Sequence, residues 1–499
     1  MTGATMVDGI PSGGRGALFI GGTWRPPAGG GYFPVVDPST GKTLGEAPIA
    51  SAEEARAAVE AAAGVEESWG RVPGHERARI LRVASERLRA DRETMARLIA
   101  CEVGKPISEA RLEADRAAGV FGLAAEEIRH LGGESYPADA YERPPGNEHR
   151  FLFTVREPIG VVVAIGPFNF PLNLIAHKIA PALAAGNPVV AKPTSAAPFT
   201  ALRLVEHLAA AGVPAGVINL VVGPGGSVGN ALVEHPQTRL VTFTGSTEIG
   251  KAIAERAGRH AKRVILEMGG LDPFVVLEDA PLDTAVSAAA RGAFAYSGQV
   301  CTASKRILVQ QSIADDFAKR LAAKAQSLKV GPALDEATEV GPVIDRAAIE
   351  RLNGMVADAR SRGGRVLTGG SAPARDAGTF YSPTVIDSVP EAAQVLREEP
   401  FGPIAPVVRF SDIDEAVRIA NSTSYGLQAA VYTRDIARGF SLARRIRAGG
   451  VHLNDPTNLR WDALPFGGVR ESGLGREGLR YAMQEMTEVK LISINYATP

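Results

Sequence analysis

Apolar residues recur at helical spacing over residues 51–70, after an entry that is rich in glycine and proline. This segment begins with Ser51 and has Glu54 three residues later, which is the arrangement of a helix N-cap with a capping box. Further amphipathic segments follow to about residue 130. The pattern therefore predicts that the chain from residue 51 to residue 130 is mainly helical.

From residue 151 onwards, short apolar segments alternate with segments of helical periodicity. Strands that alternate with helices form parallel sheets with helices on both faces. Ligands bind such sheets at the carboxyl ends of the strands, so a site is expected in the loops that follow them. The predicted strands are 151–154, 160–165, 187–191, 217–222, 240–243 and 264–266, and the predicted helices are 196–211, 227–235 and 248–257.

A second series of strands and helices runs from Thr284 to about Ser441, and we interpret it as a second α/β domain. The chain then ends with an exposed strand that is predicted at 488–494. An unpaired strand at a chain end is suited to pairing with another subunit. The predicted strands of the second series are 306–309, 401–410 and 429–432, and its predicted helices are 313–327, 346–362 and 413–421.

The charge and the apolar content exclude two classes of partner. The 499 residues contain 54 lysine and arginine residues against 55 aspartate and glutamate residues, so no basic field for nucleic acid is expected. The most apolar stretch, residues 160–197, is interrupted by prolines and contains Lys178 and Lys192. A membrane-spanning helix needs about 18 uninterrupted apolar residues. The sequence therefore predicts neither a nucleic-acid partner nor a membrane partner.

The cysteine and histidine content bears on the compartment and on metals. With only two cysteines, Cys101 and Cys301, a reducing compartment is favoured over a disulfide framework. Residues 1–16 lack the basic and apolar regions of a signal peptide, so a cytoplasmic protein is predicted. The eight histidines show no HExxH motif and no cysteine partners at zinc spacing, and we predict no metal site.

Two glycine-rich segments nearly match nucleotide-binding motifs. Residues 245–252 resemble the phosphate-binding loop of nucleotide hydrolases, but Ala252 stands where that loop needs a hydroxyl for magnesium. Residues 223–228 nearly match the dinucleotide fingerprint, but Val228 occupies the position of its last glycine. Both segments are therefore interpreted as turns between a strand and a helix, although such a turn can present backbone N–H groups to a phosphate.

Three residues together suggest chemistry on a carbonyl group. Cys301 follows a helix of small residues at 288–295, and Glu267 and Asn169 each follow a predicted strand. Taken singly, they are more simply a buried cysteine, a capping or ion-paired carboxylate, and a turn residue between prolines. Taken together, they supply a thiol that attacks a carbonyl, an amide for the oxyanion and a carboxylate that activates water. The sequence alone does not show that they meet in space.

Seven segments in the same order resemble the aldehyde dehydrogenase superfamily, and the similarity extends from about Ile20 to Asn495. The resemblance implies an enzyme that oxidises an aldehyde to a carboxylic acid with NAD or NADP. The segments are PFNFP (167–171), AKP (191–193), FTGSTEIG (243–250), LEMGG (266–270), GQVC (298–301), EEPFGP (398–403) and PFGG with SGLGRE (465–477).

The same resemblance implies an α/β fold with three parts. A Rossmann-type cofactor domain would comprise residues 1–141 and 159–268, and an α/β catalytic domain residues 269–486. A small β oligomerisation arm would comprise residues 142–158 and 487–499, and members of the family assemble through it. A homodimer or a homotetramer is therefore expected.

The resemblance assigns four residues to catalysis. Cys301 would be the nucleophile, and the Asn169 side chain would stabilise the oxyanion together with the Cys301 backbone N–H. Glu267 would be the general base for the water that hydrolyses the thioester. Lys178 matches a lysine that supports the site, and its alternative interpretation is a solvated helix lysine. Relatives that pass the acyl group to coenzyme A generally lack the Glu267 carboxylate, so release of a free acid is favoured.

The resemblance also implies a set of cofactor-binding residues. Lys192 would bind the adenosine ribose, Ser246 the pyrophosphate and Glu399 the nicotinamide ribose. Phe401 would lie beside the nicotinamide ring, and Gly225 and Gly229 would let the backbone approach the adenine side. The other residues implied are Ile165, Gly166, Pro167, Phe168, Phe243, Gly245, Ile249, Met268 and Gly269.

Ser195 is a departure that bears on the choice of cofactor. Many members that prefer NAD have a glutamate three residues after the lysine that corresponds to Lys192, and here that residue is Ser195. A carboxylate would repel a 2′-phosphate, whereas a serine can donate a hydrogen bond to it. NADP is therefore favoured, with NAD as the alternative.

The substrate is the least specified part. The segment around Arg460 and Trp461 resembles the branch of lactaldehyde and semialdehyde dehydrogenases. Trp461 and Phe170 would form an apolar wall, and Phe466 is a further implied substrate contact. Arg460 is suited to a carboxylate, a phosphonate or a hydroxyl, but it could instead form a loop-stabilising ion pair with Asp462. A small polar aldehyde is expected. The alternatives are a succinate-semialdehyde- or aromatic-aldehyde-specific member, a CoA-acylating relative, and a family member without catalytic activity.

Overall fold

The computed structural model describes residues 9–10, 13–374 and 377–497, and two large sheets dominate it. The N-terminal residues 1–8, which were considered above for a targeting signal, lie outside the described residues. No helix within the described ranges is long and apolar enough to cross a membrane. The α/β class predicted from the alternation of strands and helices is confirmed.

The strands are numbered in chain order. They are β1 (Leu18–Ile20), β2 (Thr23–Arg25), β3 (Tyr32–Val36), β4 (Thr43–Pro48), β5 (Ser135–Tyr136), β6 (Arg150–Pro158), β7 (Val161–Ile165), β8 (Val189–Lys192), β9 (Ile218–Leu220), β10 (Thr238–Thr244), β11 (Arg263–Glu267), β12 (Asp272–Val276), β13 (Ser304–Gln310), β14 (Arg365–Thr368), β15 (Thr384–Asp387), β16 (Ile404–Phe410), β17 (Gln428–Tyr432), β18 (Gly450–Leu453), β19 (Gly473–Leu474) and β20 (Thr487–Asn495).

The α-helices are numbered in the same way. They are α1 (Ala52–Ala63), α2 (Glu66–Gly70), α3 (Gly74–Ala90), α4 (Arg92–Val103), α5 (Ile107–Glu127), α6 (Asn173–Ala185), α7 (Pro198–Ala210), α8 (Asn230–Glu234), α9 (Thr247–Gly258), α10 (Leu282–Phe294), α11 (Ala314–Ser327), α12 (Arg346–Ser361), α13 (Ile413–Ala420), α14 (Ile436–Arg445) and α15 (Leu479–Glu485).

The first sheet has eight strands in the order β19-β11-β10-β7-β8-β9-β1-β2. Its central strands β11, β10, β7, β8 and β9 are parallel, and β19 and β1 flank them in antiparallel pairing. Successive residues of β7 belong to different cores, Val161 and Val163 to one and Val162 and Ala164 to the other. Because successive side chains of a strand point to opposite faces, a continuous apolar run marks a strand that is covered on both sides.

The second sheet has seven strands in the order β14-β15-β16-β13-β12-β17-β18. All neighbours are parallel except β14 and β15. Separate apolar clusters cover its two faces, with α10 and α11 on one side and α12, α13 and α14 on the other. The carboxyl ends of β7 and β8 in the first sheet, and the loops before β13 and β16 in the second, meet at one cavity.

A three-stranded antiparallel sheet, β20-β6-β5, carries the end of the chain. The predicted terminal strand is present as β20, but the expectation that it is unpaired is wrong, because it pairs with β6 along its whole length, from Thr487 opposite Pro158 to Asn495 opposite Arg150. Its other edge has no strand partner among the described residues. The sheet also includes β5, which precedes residue 142, and β19 joins the first sheet although it follows residue 269.

The helix predicted over residues 51–70 is wrong in one respect, because two helices occupy this segment. The capping box is confirmed, since the Glu54 N–H donates to Ser51 Oγ at 3.1 Å and the Ser51 N–H donates to Glu54 Oε2 at 2.8 Å. The helix α1 ends at Ala63, and Gly64 and Val65 separate it from α2. Glycine weakens a helix interior by about 1 kcal/mol relative to alanine, which is consistent with a break at Gly64.

Candidate active site

A cavity of about 1000 Å³ lies at the carboxyl ends of the central strands of the first sheet. Every residue that was predicted to bind the cofactor lines it, together with Cys301 and Asn169. The predicted cofactor residues found there are Ile165, Gly166, Pro167, Phe168, Lys192, Ser195, Gly225, Gly229, Phe243, Gly245, Ser246, Ile249, Met268, Gly269, Glu399 and Phe401.

The wall formed by the first sheet has the donors and the space that a dinucleotide needs. Ser246 caps α9, accepting the Ile249 N–H at 3.5 Å, so the positive end of this helix opens on the cavity. Helix N-termini of this kind favour phosphate groups. A Cβ atom built on Gly225 would meet no atom within 4 Å, which leaves room for a ligand against the backbone.

Lys192 is a buried cation at the end of β8. Burial lowers the pKa of its ammonium group to about 8. It donates a hydrogen bond to the Pro193 carbonyl at 3.4 Å, which is long for such a bond and leaves its remaining donors for a ligand. Ser195 is exposed, and it lines the same cavity together with Thr194. The residues present therefore fit a dinucleotide whose adenosine ribose lies beside Lys192.

Glu399 lies on the opposite wall and is held by a buried lysine. Its Oε1 atom forms an ion pair with Lys305 Nζ at 2.8 Å. A Cβ atom on Gly269 would be only 2.5 Å from Glu399 Oε2, so the glycine permits this approach. Phe401 stands two residues further on with a φ angle of 45°, and its ring packs against Phe168 at a centroid distance of 5.6 Å. This left-handed residue interrupts the strand that was predicted to start at 401, and β16 begins at Ile404.

A tight, left-handed turn leads from α10 to Cys301. Tyr296 and Ser297 have φ angles of 45° and 56°, which are unfavourable for residues with side chains. Three hydrogen bonds hold the turn in place. Tyr296 Oη donates to the Val103 carbonyl at 2.8 Å, and Ser297 Oγ donates to the Gly341 carbonyl at 2.7 Å. Gln299 Oε1 accepts the Ile344 N–H at 2.8 Å. A Cβ atom on Gly298 would be 2.1 Å from the Gly402 carbonyl oxygen.

The Asn169 side chain is fixed next to the nucleophile loop. It is buried, and its Nδ2 atom donates to the Gln299 carbonyl at 3.0 Å. Gln299 is two residues before Cys301, so this bond joins the loop after β7 to the loop that carries the thiol. The structure thus brings together two residues that are far apart in the sequence, with Cys301 partly exposed to the cavity.

Glu267 ends β11 in a buried environment. Neither of its carboxylate oxygens has a hydrogen-bond partner within the described part of the chain. Burial raises the pKa of this carboxyl well above its usual value, and the negative charge of Glu477 adds to the effect. A Cβ atom on Gly467 would be 2.7 Å from Glu267 Oε1, so the glycine leaves space at this oxygen.

Lys178, Glu477 and Arg460 form a buried ionic network beside Glu267. Lys178 Nζ donates to Thr244 Oγ1 and to Glu477 Oε1, both at 2.7 Å, and Arg460 Nη2 donates to Glu477 Oε2 at 2.9 Å. Burial opposes ionisation of Glu477, but the two cations outweigh it and lower its pKa to about 2. The interpretation of Lys178 as a solvated helix lysine is wrong, because its side chain is fully buried.

The expected alternative for Arg460, an ion pair with Asp462, is also wrong. Asp462 instead pairs with Arg116 at 2.6 Å and with the His177 ring at 2.9 Å. Arg460 pairs with Glu477, and its guanidinium carbon lies 3.9 Å from the centroid of the Phe466 ring. Arg460 and Asp462 are only two residues apart in the loop, but they form ion pairs with different residues.

None of the four residues predicted to contact the substrate, Arg460 included, lines the large cavity, and Glu267 and Lys178 also lie outside its lining. Phe170 packs against Tyr296 at a centroid distance of 6.4 Å and beneath the buried ammonium of Lys105, which is 3.5 Å from its ring centroid. Trp461 is 55% exposed, with the His452 ring 6.3 Å away.

No group of three or more histidine, cysteine or acidic residues that could hold a metal occurs in the described ranges.

Sequence reasoning missed two residues of this site, Glu477 and Lys305. Glu477 ends the SGLGRE segment, and its place in a shared motif was the only available signal. Lys305 lies four residues after Cys301 at the start of β13, where nothing in the local pattern sets it apart from a solvated lysine. Only their contacts identify them.

Comparison with known proteins supports the resemblance. Residues 24–492 match the aldehyde dehydrogenase family. The chain is 40% identical over 480 residues to succinate-semialdehyde dehydrogenase [NADP(+)] of Escherichia coli (strain K12), covering 96% of this chain and 98% of the relative. It is 40% identical over 482 residues to a lactaldehyde dehydrogenase of Methanocaldococcus jannaschii, covering 96% and 100%. The structure is similar to betaine aldehyde dehydrogenase of Staphylococcus aureus in complex with NAD+, with a TM-score of 0.93, 33% identity, and coverage of 97% and 95%.

Proposed function

Because the chain belongs to the aldehyde dehydrogenase family, we propose that it oxidises a small polar aldehyde to the free carboxylic acid with NADP or NAD, using Cys301 as the nucleophile. The observation that carries this proposal is the single cavity lined by Cys301, Asn169 and the whole predicted cofactor set. A panel of aldehydes assayed with both cofactors tests it through the formation of NAD(P)H. Absence of NAD(P)H with every aldehyde would instead favour a family member that binds without catalysis.

Attack by Cys301 requires loss of the thiol proton. Burial raises the pKa of this thiol to about 12, and Glu399 and Asp272 act in the same direction, while Lys305 opposes them. The resting thiol is therefore protonated at neutral pH, and its proton is proposed to pass to water in the cavity as the carbon–sulfur bond forms. The Asn169 amide and the Cys301 backbone N–H are the proposed donors to the oxyanion of the resulting thiohemiacetal.

The bound nicotinamide supplies the acceptor for the hydride that leaves this intermediate. The thioester on Cys301 then awaits hydrolysis, and Glu267 is the proposed base that takes a proton from the attacking water. Its two oxygens are buried and have no hydrogen-bond partner among the described residues, so the proposal requires a local movement that brings Glu267 to the water molecule. Glu477, whose pKa is lowered to about 2, stays ionised beside it, and its ion pair with Lys178 is proposed to act on the charge of Glu267.

The product distinguishes this proposal from a CoA-acylating function. A carboxylate at Glu267 is suited to activating water, which makes the free acid. Addition of coenzyme A should therefore change neither the rate nor the product. Detection of an acyl-CoA as the main product by mass spectrometry would show the alternative.

Ser195 supports a preference for NADP, and we expect a higher kcat/KM with NADP than with NAD. Replacing Ser195 with glutamate should lower kcat/KM for NADP by about tenfold or more, because a carboxylate beside Lys192 repels the 2′-phosphate. The value for NAD should change much less. Steady-state kinetics with both cofactors measure this, and Thr194→Val serves as a neighbouring control. A wild-type protein that prefers NAD strongly would contradict the prediction.

Arg460 is proposed to bind the polar end of the substrate. Its Nε atom is buried and without a hydrogen-bond partner among the described residues, while Nη2 is taken by Glu477. Such a guanidinium can donate a further hydrogen bond to an anionic or hydroxyl group. This supports a substrate of the lactaldehyde or semialdehyde type over an aromatic aldehyde.

Arg460→Met should therefore discriminate between substrates. We expect KM for succinate semialdehyde to rise by about tenfold or more, as a lost charge-assisted hydrogen bond implies. KM for butanal, which has no anionic group, should change little. An equal loss with both aldehydes would indicate that Arg460 acts only through Glu477.

Assembly is proposed to use the arm sheet. Val489, Leu491 and Ile494 of β20 and Phe151 of β6 are large apolar residues that are about half exposed or more. With an open strand edge beside them, they favour pairing with a second copy as a homodimer or homotetramer. The domain boundaries at 141, 158, 268 and 486 and a cytoplasmic location also remain proposals.

A further inference from the structure

Lys305 contacts the main chain of Cys301, and the mechanism proposed above assigns it no step. It is the second residue of β13, four residues after Cys301, and its side chain is only 2% exposed. A buried lysine is costly unless its charge is paired, so its partners indicate what it does. These partners lie on two different segments of the active site.

The Lys305 ammonium joins the loop before β13, which carries Cys301, to the loop before β16, which carries Glu399. Its Nζ atom donates a hydrogen bond to the Cys301 backbone carbonyl and forms the ion pair with Glu399 Oε1 at 2.8 Å. Glu399 is the carboxylate proposed to hold the nicotinamide ribose. One side chain therefore contacts both the main chain of the nucleophile and the acid that positions the cofactor.

A second carboxyl group borders this ammonium. Asp272 begins the neighbouring strand β12, and burial raises its pKa to about 7, while Lys305 opposes that rise. Built on Gly270, a Cβ atom would be 2.8 Å from Asp272 Oδ1 and 2.8 Å from the Cys301 carbonyl oxygen. Asp272 and the nucleophile loop are thus packed against the same glycine.

We propose that Lys305 is a positioning residue that couples the cofactor-binding carboxylate Glu399 to the placement and reactivity of Cys301. Its hydrogen bond restrains the Cys301 main chain, and its positive charge favours the thiolate over the thiol. The negative charge of Glu399 partly cancels the effect of the Lys305 charge on the Cys301 thiol. A change in the position of Glu399 on cofactor binding therefore changes the field at Cys301. The part of this inference that concerns the cofactor rests on the proposed function.

The charges that face Cys301 come from four segments. They are Lys305 on β13, Glu399 before β16, Asp272 on β12 and Arg460 after β18. Lys305 and Arg460 favour the thiolate, whereas Glu399 and Asp272 disfavour it. Removal of Lys305 and removal of the Glu399 charge should consequently shift the reactivity of Cys301 in opposite directions. If the ion pair between Lys305 and Glu399 were only structural, both variants would be less stable, and the reactivity of Cys301 would not shift in opposite directions.

The test measures the second-order rate constant for alkylation of Cys301 by iodoacetamide at about pH 8, where the rate follows the small fraction of thiolate. The variants are made in a Cys101→Ala background, so that Cys301 is the single thiol. For Lys305→Met we expect the rate constant to fall by about three- to tenfold, since the loss of an opposite charge at close range shifts a pKa by about 1–3 units. Glu399→Gln should raise the rate constant, and Lys305→Arg should restore it towards that of the parent.

Cofactor binding supplies the second readout. The dissociation constant for NADPH, measured by fluorescence, should rise by about threefold or more in Lys305→Met because Glu399 loses its anchor, and by less in Lys305→Arg. The control is Lys319→Met, at an exposed lysine on α11, which should change neither quantity. An unchanged alkylation rate constant in folded Lys305→Met, or changes of the same sign in Lys305→Met and Glu399→Gln, would overturn the proposal.

The Glu399→Gln variant keeps the test decisive if Lys305→Met does not fold, because an alkylation rate constant that fails to rise in Glu399→Gln is by itself contrary to the proposal. Alkylation requires neither aldehyde nor turnover. A parent protein that oxidises no aldehyde would refute the proposed function while leaving the alkylation result to judge Lys305.

Discussion

Replacing Cys301 with alanine is expected to abolish aldehyde oxidation, with kcat lower by about four orders of magnitude or more. Removal of a covalent nucleophile commonly costs rates of this size. The effect should lie in the chemical step, because Cys301 is one of many residues that line the cavity and the residues proposed to bind the cofactor are others. We therefore expect the dissociation constants for NADP and NAD to stay within about twofold of the parent values, well below a tenfold change.

Cys101→Ala is a matched control for this experiment. Cys101 lies in α4, is buried in a hydrophobic core, and has its thiol pKa raised by burial to about 12. Both cysteines are thus poorly ionised, and only their positions differ. Cys101→Ala should keep nearly full kcat with a small loss of stability from the space that is left behind. Loss of activity in Cys101→Ala with retention in Cys301→Ala would reverse the assignment of the nucleophile.

Replacing Glu267 with glutamine should separate the two halves of the reaction. Acylation of Cys301 does not require the carboxylate, so a burst of NAD(P)H close to one equivalent per active site is expected on mixing. Steady-state turnover should then fall by about 10²–10⁴-fold, the usual contribution of a general base. Rapid-mixing absorbance measurements and mass spectrometry of the acylated protein provide the two readouts. Normal steady-state turnover in this variant would remove Glu267 from the mechanism.

The pH dependence of hydrolysis follows from the burial of Glu267. Its pKa is raised well above the usual value, mainly by burial, and a base acts only in its deprotonated form. Hydrolysis should therefore weaken as the pH falls, and this weakening should begin at a higher pH than an exposed glutamate would produce. In Glu267→Gln that dependence should disappear. Glu255→Gln, at an exposed glutamate on α9, should retain both the rate and the parent pH profile.

Several parts of the fold could be predicted from local patterns. The apolar run at Val161–Ile165 predicted a buried strand because both faces of β7 are covered, and Ser51 with Glu54 predicted the start of α1. The break between α1 and α2 was not predicted, since the helical periodicity continues through Gly64. Signals of this kind extend over a few residues, and a tertiary contact can override them.

The catalytic candidates show the same division. Cys301, Glu267 and Asn169 were found from residue type, from their positions after predicted elements and from shared motifs, and the cavity then placed Asn169 beside Cys301. The expected pairing of Arg460 with Asp462 was wrong because neighbours in a loop do not face each other by necessity. Their actual partners, Glu477 and Arg116, are 17 and 346 positions away.

By itself the sequence determined the α/β class, the family and the chemical groups available at the ends of the strands, because periodicity and motifs are properties of short segments. The tertiary structure decided which charges are buried together. Lys178 and Glu477 are 299 positions apart and 2.7 Å from each other, and Lys305 meets Glu399 in the same manner at 2.8 Å. Such pairs depend on how segments far apart in the sequence pack together, and burial then changes the pKa values on which the proposed chemistry rests.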